Sequence, residues 1–172
     1  MEPGSTAPDF TLTSIEGEKV QLSDYKGKMV VLEWFDSGCP FVKKHSKGGH
    51  MQALQEKYKA KGVVWLTINS TNPDHKDFIT TEQSKVLVKN QKIQCTATLQ
   101  DPDGTVGKSY GAKSTPHMFI INSDGKLAYQ GAIDDHPDVR SDPKDARNYV
   151  QQALDELLAG KTVTTARTKQ YG

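Results

Sequence analysis

The chain has 172 residues, with 22 basic and 21 acidic side chains and a formal net charge of +1. That length suits one domain with a full core. Balanced charge gives no support for a basic nucleic-acid surface, and no apolar run approaches the roughly 18 residues of a membrane span. Two cysteines exclude a disulfide scaffold and a four-thiolate zinc site. The opening Met1-Glu2-Pro3-Gly4 is not a basic-then-apolar leader, so the expectation is a cytosolic protein or an exported one with its leader removed.

In chain order, Phe10-Thr11-Leu12 and Val20-Gln21-Leu22 flank a turn at Gly17 and predict a β-hairpin. Met29 to Phe35 is apolar and β-branched, broken by Glu33, and predicts a buried central strand. Pro40 to Lys61 has helical composition, with Pro40 suited to a first turn, Gly48-Gly49 as a bend and Gly62 as the stop. Val63 to Asn69 predicts a second buried strand. Thr80 to Asn90 predicts a helix capped by Thr80 or Thr81, with Val86 and Leu87 facing inward. Thr96 to Leu99 is a short extended piece, and Asp101-Pro102-Asp103-Gly104 is a turn before one or two helical turns ending at Tyr110.

His117 to Ile121 and Leu127 to Gln130 flank Asn122-Ser123-Asp124-Gly125, which has strong hairpin-turn chemistry. Ala146 to Ala159 predicts an amphipathic helix with Tyr149, Val150, Ala153, Leu154, Leu157 and Leu158 on one stripe and Gly160 as its stop. The expected organisation is one domain over residues 1–160 and a loose polar tail over 161–172. Strand–helix–strand order followed by a late hairpin implies an α/β fold with a mixed sheet and helices on both faces.

Chemistry concentrates where the first central strand runs into its helix, at Phe35-Asp36-Ser37-Gly38-Cys39-Pro40-Phe41. A cysteine at a helix N-terminus meets unpaired N–H groups and the positive end of the dipole, which favour the nucleophilic thiolate. Lys43, Lys44 and His45 follow, basic residues where the dipole prefers acids. Glu33 lies six residues before Cys39 inside the apolar strand and is either a buried carboxyl with a raised pKa that can relay protons or a solvent-facing strand residue. Cys95 is a candidate resolving thiol for a mixed disulfide or sulfenate on Cys39, or else a buried unreactive one. His45, His50, Met51 and His117 form with Cys39 a set of soft and imidazole donors, but packing explains them more simply and no metal or cofactor is assigned.

Four segments carry a resemblance: Ala7-Pro8-Asp9-Phe10-Thr11-Leu12, the Cys39-Pro40 strand end, Tyr110-Gly111-Ala112 with Thr115-Pro116, and Gly131-Ala132-Ile133. Together they resemble the thioredoxin superfamily, in its alkyl-hydroperoxide-reductase/thiol-specific-antioxidant (redoxin) branch. The run Trp34 to His45 is similar to peroxiredoxin-like proteins with a single active cysteine. The resemblance implies a thioredoxin fold with an added N-terminal hairpin. It makes Cys39 the attacking thiol, Glu33 the buried acid and Pro116 a cis-proline. Gly38, Phe41, Thr115, Gly131, Ala132 and Ile133 become the binding residues around the groove.

Two departures shape the expected activity. Val42 stands where thioredoxins carry their second cysteine. Asp36 stands where peroxiredoxins carry the hydroxyl that orients peroxide. The expected function is thiol–disulfide exchange with protein or small-molecule thiols and disulfides. Reduction of hydroperoxides is one alternative, and a redox-inactive peptide- or metal-binding module is another.

Overall fold

The computed structural model describes residues 2–35, 50–71, 74, 78–90, 95–112, 116–135 and 148–169. The apolar and β-branched runs form β1 (Thr11–Ser14), β2 (Lys19–Gln21), β3 (Val30–Trp34), β4 (Val64–Asn69), β5 (Ala97–Gln100), β6 (His117–Ile121) and β7 (Leu127–Gly131). They make one mixed sheet in the order β2-β1-β5-β4-β3-β6-β7. β3, β4 and β5 are mutually parallel neighbours, while the β1–β2 and β6–β7 hairpins add antiparallel strands at the two sides. Parallel neighbours need long crossovers. Helices α1 (His50–Lys59) and α2 (Thr81–Asn90) lie in these two crossovers, and α3 (Thr105–Tyr110) and α4 (Tyr149–Leu158) complete the described α-helices.

Alternation along each strand divides the core into two layers. Val30, Leu32 and Trp34 of β3 face one way, where Leu66, Ile68, Leu99 and Phe119 meet Val106 and Tyr110 of α3. Trp34, Tyr110 and Phe119 form an aromatic cluster there, with ring centroids 5.3–5.5 Å apart. Val31 faces the other way, where Trp65, Met118, Ile120 and Tyr129 meet Met51, Leu54 and Tyr58 of α1 and Val150, Ala153 and Leu154 of α4. The Tyr58 hydroxyl donates to Asp155 at 2.6 Å, tying α1 to α4. Among the described residues, no helix is long and apolar enough to cross a membrane.

Local signals act where the sequence places them. Thr80 Oγ1 accepts from the Gln83 N–H at 3.2 Å while Gln83 Oε1 accepts from the Thr80 N–H at 2.8 Å, a reciprocal capping box opening α2. The Asn148 side chain accepts from the Gln151 N–H at 2.8 Å and opens α4, so that helix begins at Tyr149 rather than Ala146. Asn122 Oδ1 accepts from the Asp124 and Lys126 N–H groups, fixing the β6–β7 turn with Gly125 at φ +79°.

Three further expectations change. Val86 is 57% exposed, and the buried residue of α2 is Ser84. Two residues of helix separate them, about 200° of rotation, so the face that buries Ser84 turns Val86 outward. Leu158, expected on the buried stripe of α4, is 37% exposed at the last helical position. Within the segment expected to be a loose tail, residues 166–168 lie along β7, joined to it by the Gln130 N–H donating to the Ala166 carbonyl at 3.0 Å. The expected bend at Gly48-Gly49 lies outside the described residues.

Candidate active site

Register places Pro116 and the Gly131-Ala132-Ile133 turn at one end of the sheet. β3 finishes at Trp34, which pairs with His117 at the start of antiparallel β6, so buried Pro116 stands beside the carboxyl end of β3. Met118 pairs with Gly131, which puts the Gly131-Ala132-Ile133 turn at the same end. Phe35 is buried there and leads into residues 36–49, which carry Gly38, Cys39 and Phe41 and lie outside the described residues, as does Thr115. Pro116 is therefore beside the carboxyl end of β3, and Gly131, Ala132 and Ile133 lie at the same end of the sheet across β6. Ala132 is 2% exposed and the Ile133 side chain packs wholly into the core, so this turn offers backbone rather than side chains.

Glu33 is 4% exposed and shares the α1–α4 face with Val31. Its Oε1 accepts two hydrogen bonds, from Trp65 Nε1 at 2.9 Å and from Gln55 Nε2 at 3.2 Å. Burial pushes its pKa up to about 7, against the lowering effect of those two donors. A carboxyl poised there exchanges protons readily at neutral pH.

Glu33 opens a polar row across an otherwise apolar face. It pairs with Thr67 on β4, which pairs with Thr98 on β5. Thr67 Oγ1 donates to Thr98 Oγ1 at 3.0 Å, and Cys95 Sγ lies 3.3 Å from Thr98 Oγ1 and 3.6 Å from Thr67 Oγ1. Burial raises the Cys95 pKa, and the nearby Glu33 carboxylate adds to the effect. Cys95 is thus held as a thiol, the less nucleophilic form.

Gln55, Trp65, Thr67 and Thr98 were not singled out from the sequence. The signal for Gln55 is its place one turn after Met51, between Leu54 and Tyr58 on the buried stripe of α1. Trp65 and Thr67 share the Glu33 face by the period of two along β4. Of the candidate metal donors, Met51 packs on the α1–α4 face. His117 stacks on Phe119 at 4.4 Å on the opposite face, with Nε2 3.1 Å from Gln130 Oε1. The sheet separates the two.

Comparison with known proteins agrees with this architecture. The model of the AhpC/TSA family matches residues 3–130. The thiol-disulfide oxidoreductase ResA of Bacillus thuringiensis is 34% identical over 127 residues, 74% of this chain and 68% of that protein. The crystal structure of an uncharacterised conserved protein from Geobacillus kaustophilus superposes with a TM-score of 0.83 at 30% identity, covering 99% of this chain and 87% of that one. The exposed lipoprotein thioredoxin of Streptococcus pneumoniae gives a TM-score of 0.62 at 30% identity, covering 87% of this chain and 99% of that one. Fold, sheet register and sequence agree: the chain has the thioredoxin fold and belongs to the AhpC/TSA family, in the redoxin branch of the thioredoxin superfamily.

Proposed function

We propose that the protein is a thiol–disulfide oxidoreductase with Cys39 as its attacking thiolate. The observation that carries this reading is Glu33, a buried carboxyl with a pKa of about 7 on the strand that leads into Cys39. Similarity to a thiol-disulfide oxidoreductase over 74% of the chain supports it. Cys39 sulfur attacks one sulfur of a partner disulfide, and the S–S bond breaks as the new Cys39–S–S–R bond forms. The displaced thiolate takes a proton, a role that protonated Glu33 suits at neutral pH. A second thiol then attacks the Cys39 sulfur of the mixed disulfide and releases the partner's remaining sulfur as thiolate, leaving the partner reduced by two electrons; a further thiol attacks that new disulfide, frees Cys39 as thiolate and ends joined to the second thiol in a disulfide. With Val42 in place of a second motif cysteine, the second thiol comes from outside the motif.

Partner recognition uses backbone groups at Thr115 and the turn at Gly131, with Pro116, Gly38 and Phe41 shaping the approach. The partners are protein or small-molecule disulfides. Hydroperoxide reduction is the weaker reading. It needs a fixed donor for the breaking O–O bond, and Asp36 stands in that donor's position.

Release of thionitrobenzoate from a chromogenic aromatic disulfide across pH tests the proposal. Reaction dependent on Cys39, with an apparent thiol pKa well below the usual 8.5, is the expected result. Equal rates for the parent and Cys39→Ser would overturn it.

A further inference from the structure

β7 ends the sheet, and an edge strand presents unpaired N–H and C=O groups to any extended chain. Two segments of this protein already use that edge. Residues 4–7 pair with its start: Gly4 N–H donates to the Leu127 carbonyl at 2.7 Å, and Leu127 N–H donates to the Ser5 carbonyl at 2.8 Å. Residues 166–168 pair with its end in parallel: Gln130 N–H donates to the Ala166 carbonyl at 3.0 Å, and Thr168 N–H donates to the Gln130 carbonyl at 3.1 Å. An exposed ion pair, Arg167 Nη1 to Glu2 Oε1 at 2.5 Å, joins the two segments.

Thr168 then reaches the turn itself. Its Oγ1 accepts from the Ala132 N–H at 2.9 Å and lies 2.7 Å from the Tyr129 hydroxyl. Tyr129 donates its own proton to the Ala132 carbonyl, so the Thr168 hydroxyl donates to Tyr129 and the three groups close a ring. Gly131 is shaped for this contact. Its φ is +142°, and a Cβ there would lie 2.3 Å from Thr168 Oγ1 and 2.4 Å from the Thr168 carbonyl oxygen. The backbone donor of Ala132 and both backbone groups of Gln130 are thus occupied from within the chain.

We propose that Ala166–Thr168 is a built-in competitor for this edge and makes Thr168 a specificity-determining residue. Disulfides carried on an extended polypeptide must displace the segment to pair with Gln130–Ala132, whereas small disulfides need not. This rests on the reading of the Gly131–Ile133 turn as part of the partner groove. The segment is suited to displacement, because its ion pair is exposed and Arg167 and Lys169 face solvent. If it is seated nine-tenths of the time, releasing it raises apparent peptide affinity about tenfold.

The test compares the parent with Thr168→Pro, which removes the N–H bonded to Gln130 and the hydroxyl bonded to Ala132. Two reagents are used, a small symmetric aromatic disulfide and a decapeptide whose single cysteine carries thionitrobenzoate as a mixed disulfide. Both report release of thionitrobenzoate, with Cys39→Ser as the blank. Faster peptide reaction in Thr168→Pro, by up to about tenfold, with an unchanged small-disulfide rate, is the expected result. Equal peptide rates in two proteins that both react with the small disulfide would overturn the proposal while leaving the redox reading intact.

If neither reagent reacts, the Cys39 reading fails and amide NMR decides the competitor separately. The reduced decapeptide should shift the Gln130 and Ala132 amides of Thr168→Pro and not those of the parent. Identical responses in the two proteins, including none, would overturn the proposal.

Discussion

Replacing Glu33 with Gln tests the central electrostatic feature of the site. The folded protein holds this carboxyl at a pKa of about 7, against an ordinary value of 4.5. The folded state therefore binds the extra proton between those values, and stability falls as pH rises through that window. Each pH unit removes about 1.4 kcal/mol, about 3 kcal/mol in all. For a chain of this size that corresponds to a fall of roughly 6–12 °C in melting temperature. Glu33→Gln keeps an oxygen for Trp65 and Gln55 to donate to but cannot ionise, so the penalty disappears.

Urea unfolding of both proteins at closely spaced pH values from 4 to 9, taken as a difference, cancels the other titrating groups. The difference should tilt toward the variant by about 3 kcal/mol between about pH 4.5 and 7, and stay level on either side. A difference that is level throughout would refute the raised pKa, and with it the role of Glu33 as a neutral-pH proton donor. A constant offset measures only the cost of the new amide N–H₂ group.

Trp65→Phe removes a donor that favours the ionised carboxyl, so the same stability window should extend upward by about 1–2 pH units, read by the same titration. Cys39→Ser should abolish disulfide exchange, whereas Cys95→Ser should leave the first turnover with a chromogenic disulfide intact; loss of that turnover in Cys95→Ser would reassign the nucleophile. Stopped-flow oxidation of Cys39 by hydrogen peroxide should be slower than in dedicated peroxidases by on the order of 10²–10³, the usual cost of one missing preorganised donor. Gly131→Ala should destabilise by at least 1–3 kcal/mol through its positive φ and the Thr168 contact. Its cost should shrink when combined with Thr168→Gly, which a double-mutant cycle in urea would measure.

The hydrophobic pattern by itself determined most of the scaffold. Apolar β-branched runs gave β3, β4 and β6, the Asn122–Gly125 turn gave the β6–β7 hairpin, and the Thr80 cap fixed the start of α2. These are local signals, decided by residues within one turn or strand of each other. Glu33 stood out in the sequence as the acid inside an apolar strand, with a buried and a solvent-facing reading both open; the packing of α1 over that face buried it.

What surrounds Glu33 was decided by tertiary structure. Gln55 and Trp65 reach it from a helix and a neighbouring strand 22 and 32 residues away in sequence. Thr67, Thr98 and Cys95 join the row only through the β3–β4–β5 register. The outward turn of Val86 depended on which face of α2 met the sheet. The seating of residues 166–168 needed the exposed edge of β7, which a polar sequence gives no means of anticipating. Period and capping act within a segment, whereas register and edge pairing are set only once segments from distant parts of the chain have met.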